Sequence, residues 1–111
     1  MEILFADDSF RVQCNAQREL VRRQGAARAK ILRRRLDDLA AVACLQVMRG
    51  LPGRCHELKG DRARSLSLDL DGPYRLLFCP AHNPIPLLAD GGLDWAAVTA
   101  VVIMGIEDTH A

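Results

Sequence analysis

Residues 66–78, LSLDLDGPYRLLF, admit few folds. Leu66, Leu68 and Leu70 alternate with Ser67 and Asp69, while Tyr74, Leu76 and Phe78 share one face and leave Arg75 on the other. Asp71-Gly72 marks a turn between the two runs, and Pro73, which lacks an N–H, makes the loop longer than two residues. Such a hairpin has one apolar face that must be covered. Residues 26–44 can cover it: Leu32, Leu36, Leu39 and Ala43 recur at helical spacing and form the buried stripe of a helix.

The rest of the chain fits around that pair. Residues 2–6 read as an opening strand, and Asp7, Asp8 and Ser9 suit a helix N-terminus. Phe10, Cys14 and Val21, with Leu20 adjacent, predict one helix up to Gly25, a natural stop. LPG at 51–53 ends the helical pattern, and strand signals begin at Arg54. Pro80, Pro84 and Pro86 mark an irregular connection, Asp94 caps a single turn over 95–98, and residues 99–106 are apolar enough for a buried strand. The expected fold is α+β in the order β-α-α-β-β-β-β. One domain spans 1–111, with an N-terminal strand, a helical hairpin and a mostly antiparallel four-stranded sheet segment. Polar residues of the later strands line the uncovered side of the sheet.

Charge is unevenly placed. Residues 1–75 hold all 15 Lys and Arg against 10 acids, a net of +5, whereas residues 76–111 hold four acids and no Lys or Arg, a net of −4. That segregation suits a basic surface for a polyanion or an acidic protein, and equally two solvated arginine-rich helix faces. The longest apolar run, AVTAVVIMGI, is about half of what a membrane-spanning helix needs. MEILFADD lacks the basic start and apolar middle of a signal peptide, so a cytosolic (cytoplasmic) protein with no membrane partner is expected. Cys14, Cys44, Cys55 and Cys79 are scattered and read as small buried hydrophobes. Cys55-His56 with Cys79 and His82 could nominally supply zinc ligands. The spacing is not that of a zinc knuckle, and adjacent strand residues point to opposite faces, so no metal and no cofactor is expected.

One longer stretch carries a resemblance. LPGRCHELKGDRARSLSLDLDGPYRLLF, with the ending IEDTH, resembles the HigB-type killer proteins of the RelE/ParE toxin superfamily. In those proteins a H-x-L-K-G-D-R core leads into a S-[IL]-x-[VL] strand, a [WY]-R-[IL]-x-F strand follows, and the chain closes on E-D-Y-H. The specific motifs cover residues 51–78 and 106–110, and the inferred element order agrees along the whole chain. The resemblance implies the toxin of a bacterial toxin–antitoxin pair: a small endoribonuclease that cuts messenger RNA on the ribosome. Its partner would be an antitoxin, often with a helix-turn-helix domain.

RNA cleavage of this kind starts with attack of a ribose 2′-oxygen on the neighbouring phosphorus. It needs a base for the 2′ proton, an acid for the leaving 5′ oxygen and cations around the phosphorane. Histidine suits the proton transfers, and the planar fork of arginine suits the phosphate. By the resemblance, His56 is the first proton-transfer group; a chain end folded back to the same lip brings His110 as the second, with Asp108 either orienting an imidazole or simply capping the surface. Lys59, Arg62 and Arg64 are the RNA-binding cations of the turn. Arg75 either pairs with Asp69 across the hairpin or faces substrate on the open side. Arg33, Arg34 and Arg35 are expected to meet ribosomal RNA, an acidic antitoxin segment or water.

The chain departs from the family pattern where tyrosine is expected at Thr109 and glycine at Arg64, and an aromatic near Leu66 is missing. A lost base stack is worth about 1–3 kcal/mol. Two other readings stay open: a ParE-like protein that poisons DNA gyrase by binding, and a catalytically weakened module that keeps only its antitoxin.

Overall fold

The structure is a computed structural model and describes residues 1–109. Strand β1 (Glu2–Phe5) is followed by three helices, α1 (Asp8–Cys14), α2 (Gln17–Gln24) and α3 (Ala26–Ala41). A 3-10 segment at Leu45–Gly50 leads to β2 (His56–Glu57), β3 (Leu66–Asp69), β4 (Tyr74–Pro80) and β5 (Ala100–Asp108). Among the described residues the strands form one sheet in the order β1-β5-β4-β3-β2. β1 runs parallel to β5 and the other neighbours are antiparallel. The architecture is therefore α+β, as the alternation of residues 66–78 implied. No helix of the described residues is long and apolar enough to cross a membrane.

The core lies between the helices and one face of the sheet. Leu20, Leu32, Leu36 and Leu39 from the helices meet Leu66, Leu68, Leu76, Phe78, Val101 and Ile103 from the strands, all at 2 % exposure or less. Each such side chain removed from water contributes on the order of 2 kcal/mol. The loop at Asp71-Gly72-Pro73 is longer than two residues, because Leu70 N–H donates to the Tyr74 carbonyl across it. At the same corner, Arg28 stacks 3.5 Å from the Tyr74 ring centroid and pairs with Asp71, which fastens α3 to the β3–β4 turn.

Four local expectations are corrected. The helix expected from Asp7 to Gly25 is two helices broken at Asn15 and Ala16, with Asp7 accepting from Ser9 N–H at the first N-terminus. In an unbroken helix Leu20 would lie about 120° from Cys14, so one helix could not bury both; the break resets the phase, and both are buried. Helix α3 stops at Ala41, three residues early. Val42 turns inward in extended conformation, Met1 N donates to the carbonyls of Leu39, Ala40 and Val42, and Ala43 is exposed. Satisfying those terminal carbonyls is what allows the helix to end there. Strand β5 is covered on one side only: Val101 and Ile103 are buried while Met104 is 49 % exposed. The turn at Trp95–Ala97 forms after Asp94, whose side chain makes no capping hydrogen bond.

Two of the three consecutive arginines on α3 are turned into the fold instead of standing free. Arg33 donates to the Cys14 carbonyl at 2.7 Å and to Asp37 at 3.0 Å, and Arg35 donates to the Asp69 carbonyl at 2.9 Å. Arg34 remains exposed. The long apolar stem of arginine lets a residue outside the leucine stripe still reach the sheet.

Candidate functional site

The sheet face turned away from the helices carries the candidate groups. Strand register places His56 opposite Ser67, and Ser67 opposite Leu77. Two residues along, Asp69 lies opposite Arg75, and Arg75 opposite Glu107. Since side chains two apart share a face, both rows stand on the same open side. His56 and Arg75 thus share one surface, in neighbouring rows.

The imidazole is fixed from both ends. Arg54 adopts a φ of +52°, and its carbonyl lies 2.8 Å from His56 Nδ1. A carbonyl only accepts, so in the neutral ring Nδ1 carries the hydrogen and Nε2 keeps its lone pair. Ser67, fully buried beneath the ring, directs its hydroxyl to Nε2 across a long 3.4 Å. A side chain with a weak partner at Nε2 and a firm one at Nδ1 is oriented to accept a proton at Nε2.

The second row is a chain of alternating charge. Arg54 donates to Asp69 through Nε at 3.0 Å and Nη2 at 3.5 Å. Arg75 Nε stands 3.8 Å from the same carboxylate. Beyond Arg75, Glu107 accepts two parallel bonds from Arg62, with Nη1 on Oε1 at 2.7 Å and Nη2 on Oε2. The Arg62 guanidinium holds the Glu107 carboxyl below its ordinary range, partly opposed by burial, and Arg75 adds to the lowering. Followed from partner to partner, the charges run Arg54, Asp69, Arg75, Glu107, Arg62. Arg75 therefore pairs across the hairpin with Asp69 while standing on the open face of the sheet.

The remaining candidates fall in different places. Lys59 is exposed at the start of the 3-10 turn Gly60–Arg62, and it makes no ion pair among the described residues. Arg62 is committed to Glu107 and not free for a ligand as the structure stands. Arg64 has a φ of +77°, donates its backbone N–H to Glu57 Oε2 at 3.3 Å, and keeps Nη1 buried without a hydrogen-bond partner among the described residues. Asp108 lies opposite Tyr74, one position past Glu107, so alternation sends its side chain to the helix side of the sheet, away from His56 and Arg75. His110 lies outside the described residues. Thr109, where the resemblance expects tyrosine, anchors the end of β5: both its N–H and its hydroxyl donate to the Pro73 carbonyl.

Reading the sequence missed Ser67, Glu107 and Arg54 as parts of the surface. For Ser67 the signal was present in its alternation with Leu66 and Leu68. For Glu107 it was the parity of β5, hidden by a register shift opposite Leu77 and Phe78. The four nominal zinc ligands are drawn apart. Cys55 packs on the core and His56 faces the open side, while His82 Nε2 accepts from Thr99 N–H at 3.0 Å. No three His, Cys, Asp or Glu of the described residues are grouped to hold a metal ion.

No protein-family model, no curated protein and no solved structure matches the chain.

Proposed function

We propose that this chain is the toxin of a bacterial toxin–antitoxin pair, of the HigB type within the RelE/ParE superfamily, and that it cleaves messenger RNA on the ribosome. What carries the reading is the pair His56 and Arg75, joined on one open face within the stretch whose motif resembles that family. The α+β architecture, with helices on one side and an uncovered sheet on the other, is compatible with the fold that the resemblance implies.

In this reading His56 Nε2 takes the proton from a ribose 2′-hydroxyl while the 2′-oxygen bonds to phosphorus and the bond to the 5′-oxygen breaks. Arg54 keeps the base in place by holding Nδ1–H, so the ring cannot present the wrong nitrogen. Arg75 supplies the charge that a phosphorane needs, as a positioned donor on a rigid strand. The proton for the leaving oxygen comes from a second acid, the role expected of His110. An open sheet surface suits a substrate delivered by another body, here the ribosome. The antitoxin is the expected protein partner and keeps the toxin silent.

The test is induced expression with growth measured, and cleavage mapped in a translating extract, for the wild type, His56→Ala and Arg75→Ala. Loss of a positioned proton-transfer group lowers cleavage by about 10²–10⁴-fold. Undiminished cleavage in both variants would sink the site. Gyrase inhibition without transcript cleavage would move the chain to the ParE-like class.

A second reading has its own observation. Asp69 and Glu107 already offset two of the three arginines in the row, which fits a surface kept for its antitoxin with weakened chemistry. A soluble product that binds antitoxin and harms no cell would favour it.

A further inference from the structure

Glu107 has no part in the chemistry outlined above, yet it touches that chemistry's cations. It stands directly opposite Arg75 on β4 and is held by both terminal nitrogens of Arg62. A carboxylate held in the fork of one guanidinium and faced by a second occupies the geometry in which two arginines grip a phosphodiester, because both anions offer two oxygens to parallel N–H donors.

The three elements that meet here differ in freedom. Glu107 and Arg75 are fixed on paired strands. Arg62 belongs to a three-residue turn held by its own backbone bonds, from Arg62 N–H to the Lys59 carbonyl and Ala63 N–H to the Gly60 carbonyl. Its side chain is 48 % exposed, so it can swing off Glu107 by changing rotamer while the turn stays formed. Arg75 is not saturated either, since its contact with Asp69 spans 3.8 Å.

We propose that Arg62 and Arg75 form a phosphate clamp whose resident occupant is the Glu107 carboxylate, and that an RNA phosphodiester binds by displacing it. Glu107 then sets the affinity of the surface for RNA. The inference rests on the reading of this face as an RNA site. It concerns binding alone, so it can fail while the nuclease reading stands, and the reverse.

The experiment uses the whole chain and a 2′-O-methyl RNA oligonucleotide, which has no attacking hydroxyl and reports binding whatever the cleavage activity. Affinity is read by fluorescence anisotropy over a series of salt concentrations. Glu107→Gln binds about tenfold tighter than wild type, with a log–log salt slope steeper by about 0.7 for one added phosphate contact. Asp61→Asn, which removes one negative charge from the turn that carries Arg62 without touching the clamp, changes affinity less than about twofold. Adding Arg62→Ala to Glu107→Gln cancels the gain. In the wild type, the Arg62 side-chain Nε–H resonance shifts on adding the same RNA, a readout that needs no variant. Equal or weaker binding by Glu107→Gln overturns the clamp. So does an equal gain in Asp61→Asn, a gain that survives Arg62→Ala, an unmoved Arg62 resonance, or no RNA binding in any form.

Discussion

The Glu57 carboxylate accepts the backbone N–H of Arg64 at 3.3 Å, and in doing so holds a non-glycine residue at a φ of +77°. A side chain with a Cβ is strained there by on the order of 1–2 kcal/mol, and Arg64 also leaves Nη1 buried without a hydrogen bond among the described residues. The resemblance expects glycine at this position, which is the residue such a backbone favours. Arg64→Gly should stabilise the fold by about 1 kcal/mol after the extra chain entropy of glycine, raising the melting temperature by about 4 °C. A lower melting temperature by calorimetry would show that the guanidinium stem contributes more than the backbone strain costs.

Gly53 makes the opposite case. At a φ of +112°, an added Cβ would lie 2.8 Å from Arg35 Nε and 3.0 Å from both Arg35 Cδ and Leu68 Cδ2. Arg35 cannot simply withdraw, because it holds the Asp69 carbonyl on the strand that carries the candidate site. Gly53→Ala should cost about 2–3 kcal/mol, seen as a lower urea midpoint with an unchanged slope. A midpoint within error of wild type would mean the 51–53 segment adjusts freely.

The Arg28–Asp71 pair should give the fold part of its acid sensitivity. Hydrogen bonds from Arg28 hold the Asp71 carboxyl below its ordinary value of 3.8, with burial opposing them more weakly. A depressed carboxyl stabilises the fold above its unfolded pKa and loses that contribution as pH falls through the lower folded value. Asp71→Asn should therefore be less stable than wild type by about 1 kcal/mol at pH 7. The gap should shrink below about pH 4 and close once Asp71 is protonated in the folded chain as well. Urea titrations at pH 7 and at pH 2 measure it; a gap that persists at the lower pH rules out the linkage.

Burial pushes the Cys14 thiol up to about 11 and Cys55 up to about 12, against smaller opposing pulls from Arg33 and Arg49 respectively. At pH 8 the thiolate fraction of Cys14 is about a hundredfold lower than that of an ordinary thiol. Iodoacetamide should label Cys14 and Cys55 at least that much more slowly in the folded chain than in urea, followed by mass spectrometry of the digested protein. Comparable rates in the two conditions would place these thiols at the surface.

Local pattern carried much of the fold. The alternation of Leu66, Leu68 and Leu70 against Tyr74, Leu76 and Phe78 fixed the hairpin and its register, and Leu32, Leu36 and Leu39 fixed the helix above it. The break at Asn15 was hidden because Phe10, Cys14 and Val21 fit a single stripe when Leu20 is set aside, yet Leu20 is the residue fully buried. The partner of β1 was not legible at all, since no short-range period encodes which distant strand will lie beside it. For the site, period-two counting set Arg75 on the face opposite Tyr74, while His56 came from the resemblance; the strand register puts both on one face. The same counting, run along β5 from buried Val101 and Ile103, would have chosen Asp108 over Glu107 for the open face; the register shift opposite Leu77 and Phe78 reverses that parity.

Glu2 finds its partner only at Ala100, and β5 also completes the far side of β4. An interior strand of the sheet, β5, thus leaves the ribosome after all the other strands described. Until then β1 has no neighbour, β4 has one, and the Arg62–Glu107 contact cannot exist. Contacts this distant along the chain slow folding relative to local ones. Until β5 has emerged, a nascent chain accordingly lacks the neighbour of β4 that carries Glu107, and the open face of its sheet is unfinished.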